Sequence, residues 1–388
     1  MGPENLQRNA LLLAIAIGLF AWCVSIALMP EGAFTDSLHH LTVARQIAES
    51  GAVRTDSFLN PPLYHVVTAG FILLLGFNSF AFKAVAFFFA AAFLVACYFL
   101  FRKLLPKDNL LALVLTLFNP VLLLYFSANY TDVSAAFFLA LSLLLLISFC
   151  EKRTKFLAAS FLVCLALGVL SKATFWVAAP VLLAAFLYTA FGKKRIDSKK
   201  ALILAALLSI AYFAFCIWQG EGSFYYRYFI PAFPLVSFLL ASAFSTRLKK
   251  FRNPFIAIVL LASAVSLVFC AGTVVMFRQN FEGNQELYIF LSTLPKDSMI
   301  VVMPNDERRV EFYSGIHAEF FRPEFNRLSA AGLASRLNAE GATHIGVVCY
   351  NDSWDLQKLE ELERQGFASK VFSGKCSSAY ALTAASGG

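Results

Sequence analysis

Four isolated charged side chains, Asp36, Asp132, Lys172 and Arg227, lie beside long apolar stretches. Their chemistry is complementary. A carboxylate can take the proton of a hydroxyl as its oxygen attacks an electrophile, while an ammonium or a guanidinium can hold phosphate oxygens, the latter bidentately. Asp36 follows the first apolar stretch by a few residues and precedes Leu38-His39-His40-Leu41-Thr42-Val43-Ala44-Arg45-Gln46-Ile47-Ala48, whose apolar spacing suits a helix lying in a membrane interface. Asp36 or Ser37 can cap that helix, a role compatible with general-base catalysis. Asp132, in Ala128-Asn129-Tyr130-Thr131-Asp132-Val133-Ser134, opens another helical pattern, where free N–H groups welcome an acid. It either serves the helix or orients an acceptor hydroxyl or sugar.

Lys172 has no other charge for many residues on either side. An ammonium at membrane depth must snorkel to water or find a partner, and the phosphate of a lipid substrate is a suitable one. Arg227 sits in Ser223-Phe224-Tyr225-Tyr226-Arg227-Tyr228-Phe229-Ile230-Pro231, where the tyrosines are also ordinary interface anchors. Tyr64 and His65 in Pro61-Pro62-Leu63-Tyr64-His65, together with Tyr228, are candidate substrate contacts. His39, His40 and His65 invite a metal site. Zinc requires three or four converging ligands, and adjacent histidines on a helix point apart, so none is assigned. Asn129-Tyr130-Thr131 and Asn351-Asp352-Ser353 have the glycosylation-acceptor pattern.

These residues are embedded in a chain built for lipid. Of 388 residues, 59% are hydrophobic and 14% charged, against roughly a quarter charged in soluble domains. The formal charge of +8 comes mostly from short basic runs between apolar segments, which set membrane topology and argue against a nucleic-acid partner. The first segment, 11–29, lacks a clear small-residue cleavage site and reads as a retained helix. Six of the eight cysteines lie in apolar stretches and no pair has C-x-x-C spacing. Cys349 and Cys376 lie in the polar tail and can form a disulfide if that tail is exported; a buried free thiol is the alternative for either.

Segments long enough to cross a bilayer are expected at 10–29, 81–101, 110–128, 132–150, 156–170, 173–191, 201–218, 229–246 and 254–277, about nine in all. Segment 62–77 is apolar but begins with Pro62. If it does not cross, linkers 101–109, 151–155, 192–200 and 246–253, with three, three, five and four Lys or Arg, fall on one side. The positive-inside rule then makes that side cytoplasmic, along with the N-terminus. Segment 62–77 is therefore read as an interfacial or re-entrant helix in a long outer loop, 30–80. Asp36, Asp132, Lys172 and Arg227 all open onto the opposite, extracytoplasmic face.

Residues 1–278 thus form a transmembrane domain and residues 279–388 a small exported α/β domain. In the latter, 299–303 and 345–348 read as buried strands, and 328–337 and 355–362 have helical spacing. The stretch 278–285 is expected to hinge into this tail, and 219–223 to form an outer turn.

In order along residues 10–250, Thr35-Asp36-Ser37, Pro61-Pro62-Leu63-Tyr64-His65, Tyr130-Thr131-Asp132, Leu170-Ser171-Lys172-Ala173-Thr174 and Arg227-Tyr228 with Pro231 and Pro234 resemble the GT-C superfamily of membrane glycosyltransferases. The resemblance is especially to the branch containing the protein O-mannosyltransferases and lipid A aminoarabinose transferases. The resemblance implies an α-helical polytopic GT-C-like fold and transfer of a sugar, with inversion, from a polyprenyl-phosphate donor to a lipid, glycan or protein hydroxyl. It casts Asp36 as the general base, Asp132 as the second acidic position, and Lys172 and Arg227 as donor-phosphate residues. Family members often have Asp-Glu at the first site, where this chain has Asp36-Ser37; no cofactor is assigned, and use of a divalent metal stays open. No Trp-Trp-Asp motif is present, unlike the catalytic subunit of oligosaccharyltransferase. A transporter of an anionic or lipid-linked substrate and a noncatalytic membrane scaffold are the alternatives.

Overall fold

The computed structural model describes residues 3–31, 35–53, 60–192, 198–219, 226–246, 248–303, 307–349 and 353–383. The expected outer turn 219–223 lies almost wholly outside them. The chain is an α-helical polytopic membrane protein with a small sheet near its C-terminus, and it divides into two compact units: Met1–Glu31 with His40–Val274, and Gly32–His39 with Val275–Gly388.

The first unit contains α1 (Pro3–Leu28), most of α2 (Thr35–Ser50), α3 (Leu63–Leu75), α4 (Ser79–Leu104), α5 (Asn109–Leu117), α6 (Pro120–Ser127), α7 (Asp132–Lys152), α8 (Lys155–Val169), α9 (Ala179–Gly192), α10 (Ser198–Gln219), α11 (Phe233–Thr246) and the start of α12 (Arg252–Ser292). Helix occupies each of the nine expected places. Among the described residues five helices, α1, α4, α7, α10 and α12, are long and apolar enough to cross a membrane unaided. A sixth crossing results if α5 and α6 are one span bent by 59°. That bend has a local cause. Pro120 cannot donate the N–H that would continue α5, but it suits the first turn of a new helix, and the Asn119 side chain caps that helix by accepting from the Val121 and Leu122 N–H groups. α3 has only 13 residues, about 20 Å at the helical rise, too short for a hydrocarbon core of about 30 Å.

At the basic end of this unit, the Arg252 guanidinium donates to Asp108 Oδ1 at 2.8 and 3.0 Å and to Gln7 Oε1 at 3.0 Å. One cation thus ties α12 to α1 and to the residue before α5. Trp22 Nε1 donates to the Leu117 carbonyl at 2.8 Å, so the indole polar group is satisfied where its ring packs on Phe126.

The second unit is a five-stranded sheet in the order β2-β1-β3-β5-β4, with β1 Met299–Met303, β2 His317–Phe320, β3 His344–Val347, β4 Ala368–Ser373 and β5 Ser378–Leu382. β1 is parallel to β2 and β3, while β5 is antiparallel to β3 and β4. Alternation along β1 sends Ile300 and Val302 to one face, where Leu287, Tyr288 and Leu291 of α12 and Val310 of α13 (Glu307–Ser314) cover them. Val301 and Met303 face α14 (Ala330–Ala339) and α15 (Ser353–Arg364) through Leu333, Leu337, Leu359 and Leu362. β1, β3, α14 and α15 match the expected strands and helical stretches. The expected hinge, 278–285, is instead continuous helix within α12. It has no proline, its Arg278 and Glu282 pair at i,i+4 spacing, and Gly283 meets the sulfurs of a Cys349–Cys376 disulfide so closely that a Cβ there would lie 2.6 Å from Cys376 Sγ.

Candidate active site

Lys172 organises the candidate site in the first unit. It follows the C-terminus of α8, where Ser171 turns its hydroxyl back onto the Gly168 carbonyl at 2.7 Å. The turn depends on Gly168, since a Cβ there would meet the buried Phe175 ring at 2.4 Å. The Leu63 N–H donates to the Leu170 carbonyl at 3.0 Å, so the start of α3, and with it Asn60, Tyr64 and His65, is fixed beside this turn. Lys172 Nζ donates to Asn60 Oδ1 at 2.6 Å and lies 3.9 Å from Asp132 Oδ2. The lysine side chain is 9% exposed and the Asp132 side chain 0%. The ammonium is therefore held inside the protein between an amide oxygen and a carboxylate. This satisfies its need for a partner without snorkelling.

Asp132 is the first residue of α7, as its acid character predicts. It follows a turn in which Asn129 takes a left-handed conformation, φ 59°, strained for most residues but tolerated by asparagine. Asn129 is buried, which removes the expectation that it accepts a glycan; Asn351 lies outside the described residues. From α10, the fully buried Tyr212 and the buried Cys216 lie near Asp132. Tyr64 and His65 are buried as well. Tyr64 stacks on Phe89 with ring centroids 5.5 Å apart, and His65 Nε2 lies 3.1 Å from His40 Nδ1.

Arg227 and Tyr228 occupy a 3-10 turn, Tyr226–Ala232, that packs on α7, α10 and the 3-10 turn Ala173–Val177. The Arg227 side chain lies outside the described residues. The Tyr228 ring packs edge-on to Phe215 at 5.7 Å. Asp36 belongs to the second unit, in the first turn of α2, where its Oδ1 accepts from Arg308 Nη1 at 3.5 Å. Among the described residues no three His, Cys, Asp or Glu side chains are grouped to hold a metal ion.

Asn60, Tyr212 and Arg308 were not singled out as site residues by the sequence, and His40 was considered there only as a metal ligand. Asn60 had a signal, a polar side chain directly before Pro61-Pro62. Arg308, in a charged stretch of the tail, had none.

Residues 60–218, which carry Asn60, Asp132 and Lys172, match the family described as dolichyl-phosphate-mannose-protein mannosyltransferase. The crystal structure of ArnT from Cupriavidus metallidurans in the apo state superposes with a TM-score of 0.55 at 13% identity, over 98% of this chain and 99% of that one. The chain has the GT-C fold. A second structure of that ArnT, bound to undecaprenyl phosphate, gives a TM-score of 0.49 at 11% identity over the same shares. No curated protein matches by sequence. The GT-C assignment accounts for helices too short or too broken for simple spans, because irregular backbone at membrane depth is tolerated where protein buries it.

Proposed function

We propose that the chain is an inverting glycosyltransferase that moves a sugar from a polyprenyl-phosphate donor to a hydroxyl acceptor at the extracytoplasmic membrane face. The observation that carries this reading is Lys172, a buried cation fixed by Asn60 and Asp132 within the segment that matches a family named for a polyprenyl-phosphate-sugar substrate. A held, water-excluded cation stabilises charge that grows on a leaving phosphate without reorganising first.

In this mechanism Asp36 accepts the acceptor's hydroxyl proton while that oxygen bonds to the anomeric carbon. The bond from that carbon to the phosphate oxygen breaks, its electron pair stays on the polyprenyl phosphate, and Lys172 and Arg227 stabilise the resulting anion. Attack and departure on opposite faces invert the centre, and no covalent glycosyl-enzyme is formed. Asp132 sets the position of Lys172 and helps orient the acceptor, with Tyr64, His65 and Tyr228 as substrate contacts. The positive-inside distribution supports a cytoplasmic N-terminus and an extracytoplasmic site and tail.

The test is transfer from a panel of radiolabelled polyprenyl-phosphate sugars into membrane extracts by purified wild type and D36N. Label moved by wild type and lost in D36N, with donor still bound, is expected. No transfer by folded wild-type protein from any donor would overturn the enzyme reading, and full activity in D36N would remove Asp36 as the base.

A further inference from the structure

The mechanism uses His65 as a substrate contact and leaves its link to His40 without a use. His40 and His65 are both buried, with Nδ1 of the first 3.1 Å from Nε2 of the second. Nitrogens at that separation share one N–H, so one ring donates and the other accepts. The other face of His40 meets Thr131, with Nε2 3.4 Å from the hydroxyl. His40 is on α2, His65 on α3, and Thr131 directly precedes Asp132 and α7.

Thr131 stands at the N-cap of α7, yet its side chain makes no cap hydrogen bond. A threonine there ordinarily turns its hydroxyl onto the helix's own N–H groups. Here the hydroxyl faces His40 instead. Two residues earlier, Asn129 holds a left-handed backbone conformation while buried. A strained turn persists only where its surroundings over-determine it, and His40 supplies one such constraint. Around the pair stand Tyr64 on α3, whose ring centroid lies 6.3 Å from that of His40, and Tyr130 in the turn at 6.4 Å; beyond Thr131 come Asp132 and its partner Lys172.

We propose that His40 and His65 are a positioning pair for Asp132: their shared N–H, extended through the Thr131 hydroxyl, fixes the turn from which α7 starts and holds the Asp132 carboxylate at Lys172. The pair touches no reacting atom. It acts through the backbone, because the residue that contacts His40 is the immediate neighbour of the acid. This rests on the roles given to Asp132 and Lys172 above.

Two measurements separate the proposal from that reading. In the transfer assay, H65L and T131V are expected to lower kcat by about 10- to 100-fold, the scale of a small misplacement of a catalytic group, with donor KM within about twofold. H65Q, which keeps one N–H, recovers most of the loss, and H65L/T131V is no worse than the weaker single variant because both break one chain. Wild-type kcat in H65L or T131V, additive losses, or losses explained by the fraction of unfolded protein would overturn it. Independently of any activity, 15N-histidine NMR of the full chain in nanodiscs is expected to show coupling between the two rings through their shared proton, and T131V is expected to move the His40 signals. Uncoupled rings with His40 unmoved by T131V would overturn the proposal, whereas coupled rings in a chain that transfers no sugar would leave the pair standing and remove the enzyme reading.

Discussion

Arg308 Nη1 donates to Asp36 Oδ1 at 3.5 Å, with the two side chains 49% and 42% exposed. Arg308 lies in the first turn of α13, where the helix dipole disfavours a cation, so the pairing runs against its own helix and is made to the acid at the start of α2. An ion pair this exposed contributes little stability. If the pair matters, it matters for what Asp36 does.

R308A should therefore leave the melting temperature within about 2 °C of wild type while lowering kcat/KM for sugar transfer by about 10-fold, one charge-assisted hydrogen bond at an active carboxylate. R308K should fall between them. Unchanged transfer in R308A would mean that this contact does nothing for Asp36 in the reaction.

The buried Lys172–Asp132 pair predicts the opposite balance. Removing one partner strands a charge away from water, and K172M or D132L alone should destabilise the protein by about 3–5 kcal/mol. K172M/D132L, which removes both charges, should recover most of that stability and none of the activity. Thermal unfolding alongside the transfer assay checks this. A double variant as unstable as the singles would mean that Asn60 and the surrounding turn, rather than charge pairing, hold Lys172.

Much of this arrangement was legible in the sequence because membrane burial leaves few charges, and each must have a reason. Asp132 and Lys172 were conspicuous as isolated charges, and the structure joins them. Their geometry was not legible. The Lys172–Asn60 bond joins residues 112 positions apart, and it depends on Gly168 admitting the Phe175 ring, a packing relation without sequence periodicity. Pro120 signalled the α5–α6 break, but hydropathy runs through it unbroken and reads as one span. In the tail, β1 and β3 stood out as apolar runs. β2 and β4 at the sheet edges, and β5 between β3 and β4, mix polar with apolar residues, so alternation alone did not reveal them.

His344 opens β3 and is partly buried, and burial lowers its pKa below the ordinary histidine value of about 6.5. The sign follows directly. Above that ordinary value the imidazole is neutral folded or unfolded and contributes no pH dependence. As pH falls through about 6.5 the unfolded chain takes up the proton first, so folding stability is lost progressively from there down to the depressed folded value. Hydrogen exchange of β3 amides in the full chain should accelerate as pH drops below about 6.5, after correction for intrinsic exchange, and H344Q should abolish that acid limb. An acid limb retained in H344Q would assign it to another group.

The Cys349–Cys376 disulfide links residues 27 apart in sequence, and it lies against Gly283 of α12. Closing a loop of this length constrains the unfolded chain by about 3–4 kcal/mol in the chain-entropy account, so reductant or C349S/C376S should lower the tail's unfolding midpoint by that free energy. G283A should also lower it, because its Cβ would displace a cross-linked sulfur that cannot swing away as a free side chain could. A disulfide persists in an oxidising compartment, whereas the basic linkers are expected in the cytoplasm. In intact cells, a membrane-impermeant thiol reagent applied after mild reduction should therefore label Cys349 and Cys376 but not a cysteine introduced at Lys155. Labelling of the Lys155 position with the tail protected would reverse the topology and carry the proposed site to the cytoplasmic face.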